Sequence, residues 1–484
     1  MTIDIISPAP STDSFRSDAA GDRWVEASAS TVATFQNLGH LPVQVFDVDP
    51  RTGFMPSNPP LGRLPPQWEA WEAQLDSAKM RKLQCGDKIG LTEAEAQTSA
   101  LWRAEVRQMR VVPLSIDMLA SAAMLRRAHV VLSFLLHYYV QTLPPHEAVI
   151  VPRSIAVPML RVSKALDIPA LLTFSDTVLY NWAYRVTGSH SPSDAPAFCS
   201  QLDNLCSQTT FTGLVDEEEF YLCSARIELR GVEALELMRQ TMDEIFVGDA
   251  LAVDRISTYL QSIVAVVNDL KTLLLDVRKN CDPERYYNEV RPWFRGQDSD
   301  VHKRKWVFEG MEEHGRDITH PTELSGPSAG QSSLVHVLDI FLGVDHRSKC
   351  PTDEPSFMSR MLTYMPRNHR LFLKHLTANP RPLREFVLAA GDARLLETYN
   401  RAVLALKEFR DAHMIIATLY IIGPARRAEK AAKEAALLAV EALSGPGESK
   451  EPLKGTGGTD LVKFLKDTRN RTGATMLCPL TAAG

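Results

Sequence analysis

Apolar residues recur along most of this chain at three- and four-residue intervals, the spacing that lines one face of an α-helix. On that pattern the first third predicts helices over 67–79, 91–110, 115–141 and 154–166. The second of these opens with Thr92 and, three residues on, Glu95, the reciprocal pair of a capping box. The run Leu171 to Tyr184 closes this first helical layer, and a stretch containing Gly, Ser, Pro and Asp from Thr187 to Asp194 marks a boundary. Beyond it the same period predicts helices over 217–246, 252–279, 284–294, 331–342, 356–364, 367–378, 381–390 and 393–422, the last stopped by Gly423 and Pro424. An Ala-, Glu- and Lys-rich helix over 425–443 and a final helix from Leu461 complete the series. No strand pair and no internal repeat is predicted, so the fold class is all-α. The expected organisation is a disordered leader over 1–20, a small helical domain over 21–186, a linker over 187–215 and a large helical domain over 216–484. Residues 424–458 are expected to be a mobile loop or insertion within the large domain, and the Pro-rich segment from Arg23 to Pro66 an extended path over the helical body.

Composition narrows the function classes. With 484 residues and 45% hydrophobic content the chain has ample material for substantial cores. A net charge of −6, with Lys and Arg scattered rather than striped, argues against nucleic acid as a partner. The seven cysteines form no CxxC pair, which signals neither a disulfide framework nor a zinc site and fits reduced, cytosolic thiols. An early acidic residue and a short apolar run at the N-terminus do not make a signal peptide. The most apolar window, His129 to Val140, falls short of the roughly twenty residues of a membrane span. A soluble, cytoplasmic protein without a membrane partner is expected.

The stretch EFRDAHMIIATLY, Glu408 to Tyr420, carries the candidate chemistry. Helical spacing places Leu406, Phe409, His413, Ile416, Ala417 and Tyr420 on one face with Arg410 beside them, so one imidazole points into an apolar interior. Two readings stay open: a core histidine bonded to a carbonyl, or an axial ligand to a metal or haem. His129, His137 and His336 lie in similar apolar runs and compete for that role. HExxH and facial-triad spacings are absent, as is the CxxCH of covalent haem, and the acidic run Asp216 to Glu219 reads as a solvated helix start. KGTGGTD, Lys454 to Asp460, lacks Walker spacing and reads as a linker or a ligand-closing lid. GPSAG, with Ser328 at its centre, has the letters of a nucleophile elbow but not the strand that should precede it.

Six stretches in order, LRRAHVVLSFLLHYYV, ALDIPALLTFSDTVLYNW, SGPSAGQSSLVHVLDIFLG, YMPRNHRLFL, REFVLAAGDARLLETYNRAVLALKEFRDAH and KGTGGTDLVKFLK, carry a broader likeness. Together they resemble the indoleamine 2,3-dioxygenase family, helical haem enzymes that open the pyrrole ring of L-tryptophan. The likeness runs from about Arg23 to the C-terminal helix, apart from the insertion near 425–450. It implies one haem b per chain with His413 as proximal iron ligand, Arg410 paired with Asp339 on the proximal side, and Ser328 and Ala329 near the haem. It further implies catalytic roles for Ser224 and Arg291, the guanidinium of Arg291 holding the substrate carboxylate. Phe174, Thr177, Phe220, Tyr221, Tyr286 and Tyr287 would wall the substrate pocket, and Thr456, Gly457, Gly458 and Thr459 would meet the amino-acid part of the substrate from a lid. The implied reaction inserts both atoms of O2 across the indole C2–C3 bond of L-tryptophan to give N-formylkynurenine, the first step of the kynurenine route of tryptophan catabolism, with an external reductant and a monomeric enzyme. A haem-binding sensor, or a dioxygenase of another indole, is the alternative. The chain departs from the mammalian pattern at Tyr286 and Tyr287, where Phe is usual, at Phe174 in place of Tyr, and at Thr177 in place of Cys.

Overall fold

Helices dominate, and many begin where a side chain takes up a free amide of the first turn. The computed structural model describes residues 43–185, 202–312, 318–346, 356–378, 382–440 and 461–478. The chain divides into two compact units, Met1–Phe46 and Asp47–Gly484. Within the first, the described part is the short helix Val43–Phe46. The second contains all that follows. Of the expected linker, 187–215, only 202–215 is described.

The longer helices of the second unit are α1 (Glu69–Met80), α2 (Glu93–Gln108), α3 (Ala122–Gln141), α4 (Arg153–Leu166), α5 (Val215–Arg230), α6 (Val232–Val247) and α7 (Ala250–Asp276). They continue with α8 (Ser333–Leu342), α9 (Arg367–Ala378), α10 (Leu383–Ala390), α11 (Ala393–Ala417), α12 (Gly423–Val440) and α13 (Leu461–Ala474). The capping box at α2 is present: Thr92 accepts from the Glu95 amide while the Glu95 carboxylate accepts from the Thr92 amide at 2.8 Å. α3 is the spine of one part of the core, buried continuously from Leu125 to Gln141, and packs on α1 and α4. α7 and α11 lie along one another in another part, flanked by α5 and α6 on α7 and by α13 on α11. By length and composition α7 with the turn after it, Ala250–Lys279, is apolar enough to cross a membrane; here its buried positions, Ile256, Leu260, Ile263, Val267 and Leu270 among them, recur at helical spacing against neighbouring helices.

Several sequence expectations need correction. The helix expected over 115–141 is broken at Ser121, whose hydroxyl accepts from the Met124 amide and so starts α3 afresh. The helix expected over 217–246 is two, jointed at Gly231, where a β-carbon would lie 2.3 Å from a Leu334 methyl, so that a larger residue would have to displace the end of that side chain. Gly423 and Pro424 do not stop the chain: a π-helical turn, Thr418–Ile422, leads from α11 into α12, with the Gly423 amide donating back to the Thr418 carbonyl just ahead of Pro424. The Ala-, Glu- and Lys-rich helix expected over 425–443 is present as far as Val440, so that part of 424–458 is helical, and 441–458 lie outside the described residues. Among the described residues there are two strand pairs, parallel Val149–Val151 with Trp306–Phe308 and antiparallel Trp182–Tyr184 with Leu205–Ser207. At three residues each they are too short to show alternation.

The acidic start of α5 is buried, not solvated. Asp216 accepts from the Asp282 amide at 2.7 Å, and Glu219 pairs with Arg226. Glu217, fully buried, accepts from the amides of Phe211 and Thr212 (both 2.7 Å), the Thr212 hydroxyl (2.6 Å) and the Tyr221 phenol (2.8 Å). Three carboxylates in one helical turn are tolerated because each finds donors inside the protein. Glu228, two turns later, is less well served: Ser332 donates to Oε1 at 2.5 Å, and Oε2 has no partner. Burial pushes this carboxyl up from 4.5 to about 7. A raised folded-state value means the native chain holds the proton more tightly, so this contribution to stability is complete below about pH 4.5 and is lost as pH rises through about 7. Glu228→Gln is therefore expected to match the wild type in thermal unfolding near pH 5 and to exceed it above pH 7, by on the order of 1–3 kcal/mol; a pH-independent difference would contradict this origin.

Candidate functional site

His413 reaches the wall of a cavity with an empty volume of about 1050 Å³, counting its open part. Ile416, Ala417 and Tyr420 follow His413 along the same helical face, and Leu461, Phe464 and Leu465 of α13 join them. Ala417, Ile422, Leu461 and Leu465 form one apolar cluster, which is how α13 is fixed against α11 and the turn after it. The segment leading into the 3-10 turn Ala329–Gln331 contributes Pro327, Ser328, Ala329 and Gly330, small side chains that leave room beside the backbone. The remaining wall includes Phe174, Thr177, Phe220, Tyr221, Ser224 and Tyr286. One cavity thus gathers His413, Ser328, Ala329 and all the expected pocket residues except Arg291, Tyr287 and the lid. Thr456, Gly457, Gly458 and Thr459 lie outside the described residues.

The imidazole of His413 is half-buried and takes no hydrogen bond from another described residue. Burial and the neighbouring Arg410 guanidinium push it down to about 4, so at neutral pH it is uncharged and keeps a lone pair. The three competing histidines are committed elsewhere. His336 Nε2 lies 2.9 Å from the Gly330 carbonyl. His137 Nδ1 lies 2.7 Å from the Trp293 carbonyl while its Nε2 accepts from the Leu172 amide at 3.3 Å, which fixes one neutral tautomer. His129 sits between the Asp176 carboxylate at 2.6 Å and the Pro169 carbonyl at 3.2 Å. His129 and His137, two turns apart on α3, therefore clamp the segment 169–177 that carries Phe174 and Thr177. Sequence reading treated both only as rival ligands; their eight-residue spacing on one helix face was the available signal.

Below the imidazole runs a buried charge network. Arg410 Nη2 donates to Asp339 Oδ1 at 2.6 Å and Oδ2 at 2.7 Å, and Arg410 also bonds the Thr472 hydroxyl of α13. His346 Nε2 lies 2.7 Å from Asp339 Oδ2. Burial would raise the Asp339 carboxyl, but Arg410 and His346 hold it below the usual carboxylate range. The expected Arg410–Asp339 pairing is thus observed, and His346 and Thr472 are additions that sequence reading missed.

Arg291 and Tyr287 do not line the cavity. Arg291 is buried, 5.5 Å from the Tyr287 ring centroid, and burial lowers its pKa while Tyr286 opposes the shift. Ser328 is extended and its hydroxyl accepts from the Gly330 amide at 3.2 Å, with no strand before it, so the nucleophile-elbow letters carry no elbow.

These features test whether haem fits. Among the described residues no three His, Cys, Asp or Glu side chains gather to hold a bare ion. One neutral imidazole opening on an apolar cavity is instead the donor set for a metal whose other ligands come from a macrocycle. The site defines a helical haem protein. The chain matches the family model described as indoleamine 2,3-dioxygenase over residues 42–475. It is 32% identical over 439 residues to indoleamine 2,3-dioxygenase nanC of Aspergillus nanangensis, covering 89% of this chain and 96% of that protein. It is 32% identical over 455 residues to indoleamine 2,3-dioxygenase of Saccharomyces cerevisiae, with 90% and 94% covered. It is 30% identical over 437 residues to 6-hydroxytryptophan 2,3-dioxygenase fscD of Fusarium equiseti, with 88% and 96% covered. The chain belongs to the indoleamine 2,3-dioxygenase family and is a haem-dependent dioxygenase of the indole-cleaving class.

Two outcomes follow for the site. His413→Ala is expected to show no Soret band after haem reconstitution, whereas Arg410→Ala keeps part of the haem and loses turnover; equal haem in His413→Ala and wild type would contradict the assignment. His137→Gln, which preserves a donor and an acceptor, is expected to retain activity that His137→Leu loses by about tenfold or more, measured at equal haem content.

Proposed function

We propose that this protein cleaves the indole C2–C3 bond of L-tryptophan with O2, giving N-formylkynurenine with both oxygen atoms retained. One observation carries the reading: among the described residues that line the cavity His413 is the only imidazole, and no carboxylate or amine accompanies it there. The phenols there, Tyr221, Tyr286 and Tyr420, are pushed up by burial and stay protonated. The described part of the wall thus offers no general base, which suits a reaction in which the cofactor supplies oxygen activation and the protein supplies placement and dryness.

His413 is the residue to hold the iron of a haem b, one per chain, with Arg410 and Asp339 fixing the helix turn that carries it. Bound haem supplies the activation of O2. Phe174, Phe220, Tyr221 and Tyr286 give an apolar enclosure of indole size and exclude water from it, and Ser224 presents a hydroxyl to the same space. Arg291, buried and acting electrostatically on Tyr286, is the cation for the amino-acid carboxylate. We place the protein in the cytoplasm as a monomer, its iron kept reduced by an external donor, with the first step of tryptophan catabolism as its role.

A second reading has one specific support, the similarity to a protein named for 6-hydroxytryptophan: the preferred substrate is a substituted indole. Steady-state turnover separates the two. With haem, reductant and O2, L-tryptophan is expected to give N-formylkynurenine absorbance with a higher kcat/KM than 6-hydroxytryptophan. No product from L-tryptophan alongside turnover of the hydroxylated substrate would replace the first reading with the second.

A further inference from the structure

One buried side-chain amide ties two stretches of the cavity wall together. Gln331, 1% exposed, accepts from the Phe174 amide through Oε1 at 2.8 Å and donates through Nε2 to the Gly326 carbonyl at 3.0 Å, with the Met361 sulfur 3.7 Å from the same nitrogen. A backbone N–H on one side and a carbonyl on the other fix which way the side chain faces. Gln331 does not itself line the cavity. Phe174 and Thr177 do, and so does the stretch from Pro327 to Gly330 that follows Gly326.

Both ends of the tie are anchored. Gly326 is pressed on the Phe294 carbonyl with no room for a β-carbon between them. The residue before it, Ser325, donates its amide to the Tyr364 phenol oxygen at 2.8 Å and its hydroxyl to Asp298 at 2.6 Å. On the other side, the Phe174 N–H stands just ahead of the π-helical turn Ser175–Leu179, where the helix supplies no acceptor, and Gln331 takes it from 157 positions away in sequence. The Phe174 side chain packs with Val178, Leu222 and Ala225 in one apolar cluster, against the helix that carries Ser224. One amide of fixed length thus sets the spacing between Phe174 and the 327–330 stretch.

We infer that Gln331 is a positioning residue that sets the width of the substrate cavity, and with it the preference for a plain indole over a ring-substituted one. This rests on the indole-cleaving reading given under Proposed function. Without the amide a buried N–H and a buried carbonyl lose their partners, and the two stretches part to let water reach them. The wider cavity grips plain indole less and no longer excludes extra ring atoms.

Calorimetric titration of the haem-loaded wild type, Gln331→Met and Gln331→Glu with L-tryptophan and 6-methyltryptophan, at equal haem content and at two pH values, tests this. Methionine keeps the length of the side chain and makes neither hydrogen bond. In Gln331→Met the affinity ratio of L-tryptophan to 6-methyltryptophan is expected to fall roughly tenfold from the wild-type value. KM for L-tryptophan rises with that loss, whereas KM for the methylated substrate does not. Glutamate supplies the rescue: its protonated carboxyl offers an acceptor and an O–H donor in place of the amide, while its carboxylate has nothing to donate to Gly326. Burial raises such a carboxyl, so Gln331→Glu is expected to match the wild-type ratio at about pH 5.5 and the Gln331→Met ratio at about pH 8. The wild type is titrated at both values because Glu228, bonded to the neighbouring Ser332, changes charge over the same range. An unchanged ratio in Gln331→Met overturns the inference, and so does a pH-independent ratio in Gln331→Glu. Failure of both variants to fold or to take up haem also overturns it, because the amide then holds the fold rather than the cavity width. Where Gln331→Met alone fails, the pH dependence of Gln331→Glu decides. A wild type that binds L-tryptophan without yielding N-formylkynurenine fails the catalytic reading alone, and the affinity ratios still decide this one.

Discussion

The buried ion pair between Arg410 and Asp339 is the constraint on which the site depends. A guanidinium and a carboxylate removed from water are costly separately and stable only together, in good geometry and with their remaining hydrogen-bonding capacity filled. Here both carboxylate oxygens accept from one Arg410 nitrogen, the Thr472 hydroxyl takes another part of the guanidinium, and His346 meets the outer oxygen. Because these partners come from α11, α8, α13 and the turn after α8, the pair sets the relation of three helices at once. It also brings a fixed positive charge close to His413, and together with burial that keeps the imidazole neutral. A neutral, half-buried ring without a competing protein acceptor is what a haem iron requires of its axial ligand.

The other wall is organised by the opposite policy. Potentially reactive groups there are paired with protein partners and taken out of play: Glu217 satisfies Tyr221, His129 and Asp176 satisfy one another, and His137 spends both nitrogens holding Trp293 and Leu172 in place. What remains facing the cavity is largely hydrocarbon, with the hydroxyls of Ser224 and Tyr286 at its margin. That distribution separates the task of excluding water from the task of orienting a polar substrate end.

How much of this was legible in the sequence depends on the range of the interaction. Helical period and the Thr92–Glu95 cap are local, and the elements they predict are present. Breaks at Ser121 and Gly231 were missed because one depends on a side chain turning back to cap and the other on a methyl of Leu334 arriving from 103 positions away in sequence. The burial of Asp216, Glu217 and Glu219 was misread for the same reason: an acidic run looks solvated until its donors, Thr212 and Asp282 among them, are seen. At the site, the helix face of His413 was readable from spacing, whereas its choice over His129, His137 and His336 came only from the family likeness. The structure now supplies the physical difference, since those three rings already have partners and His413 does not. Arg291 was placed in the pocket by likeness and does not line it in this structure.

The most direct test of the proposed chemistry is the fate of the two oxygen atoms. Turnover of L-tryptophan under isotopically labelled O2 in unlabelled water, read by mass spectrometry of the product, is predicted to give N-formylkynurenine carrying both labelled atoms in one molecule. A product carrying one labelled atom and one from water, or none, would contradict a dioxygenase acting on this substrate.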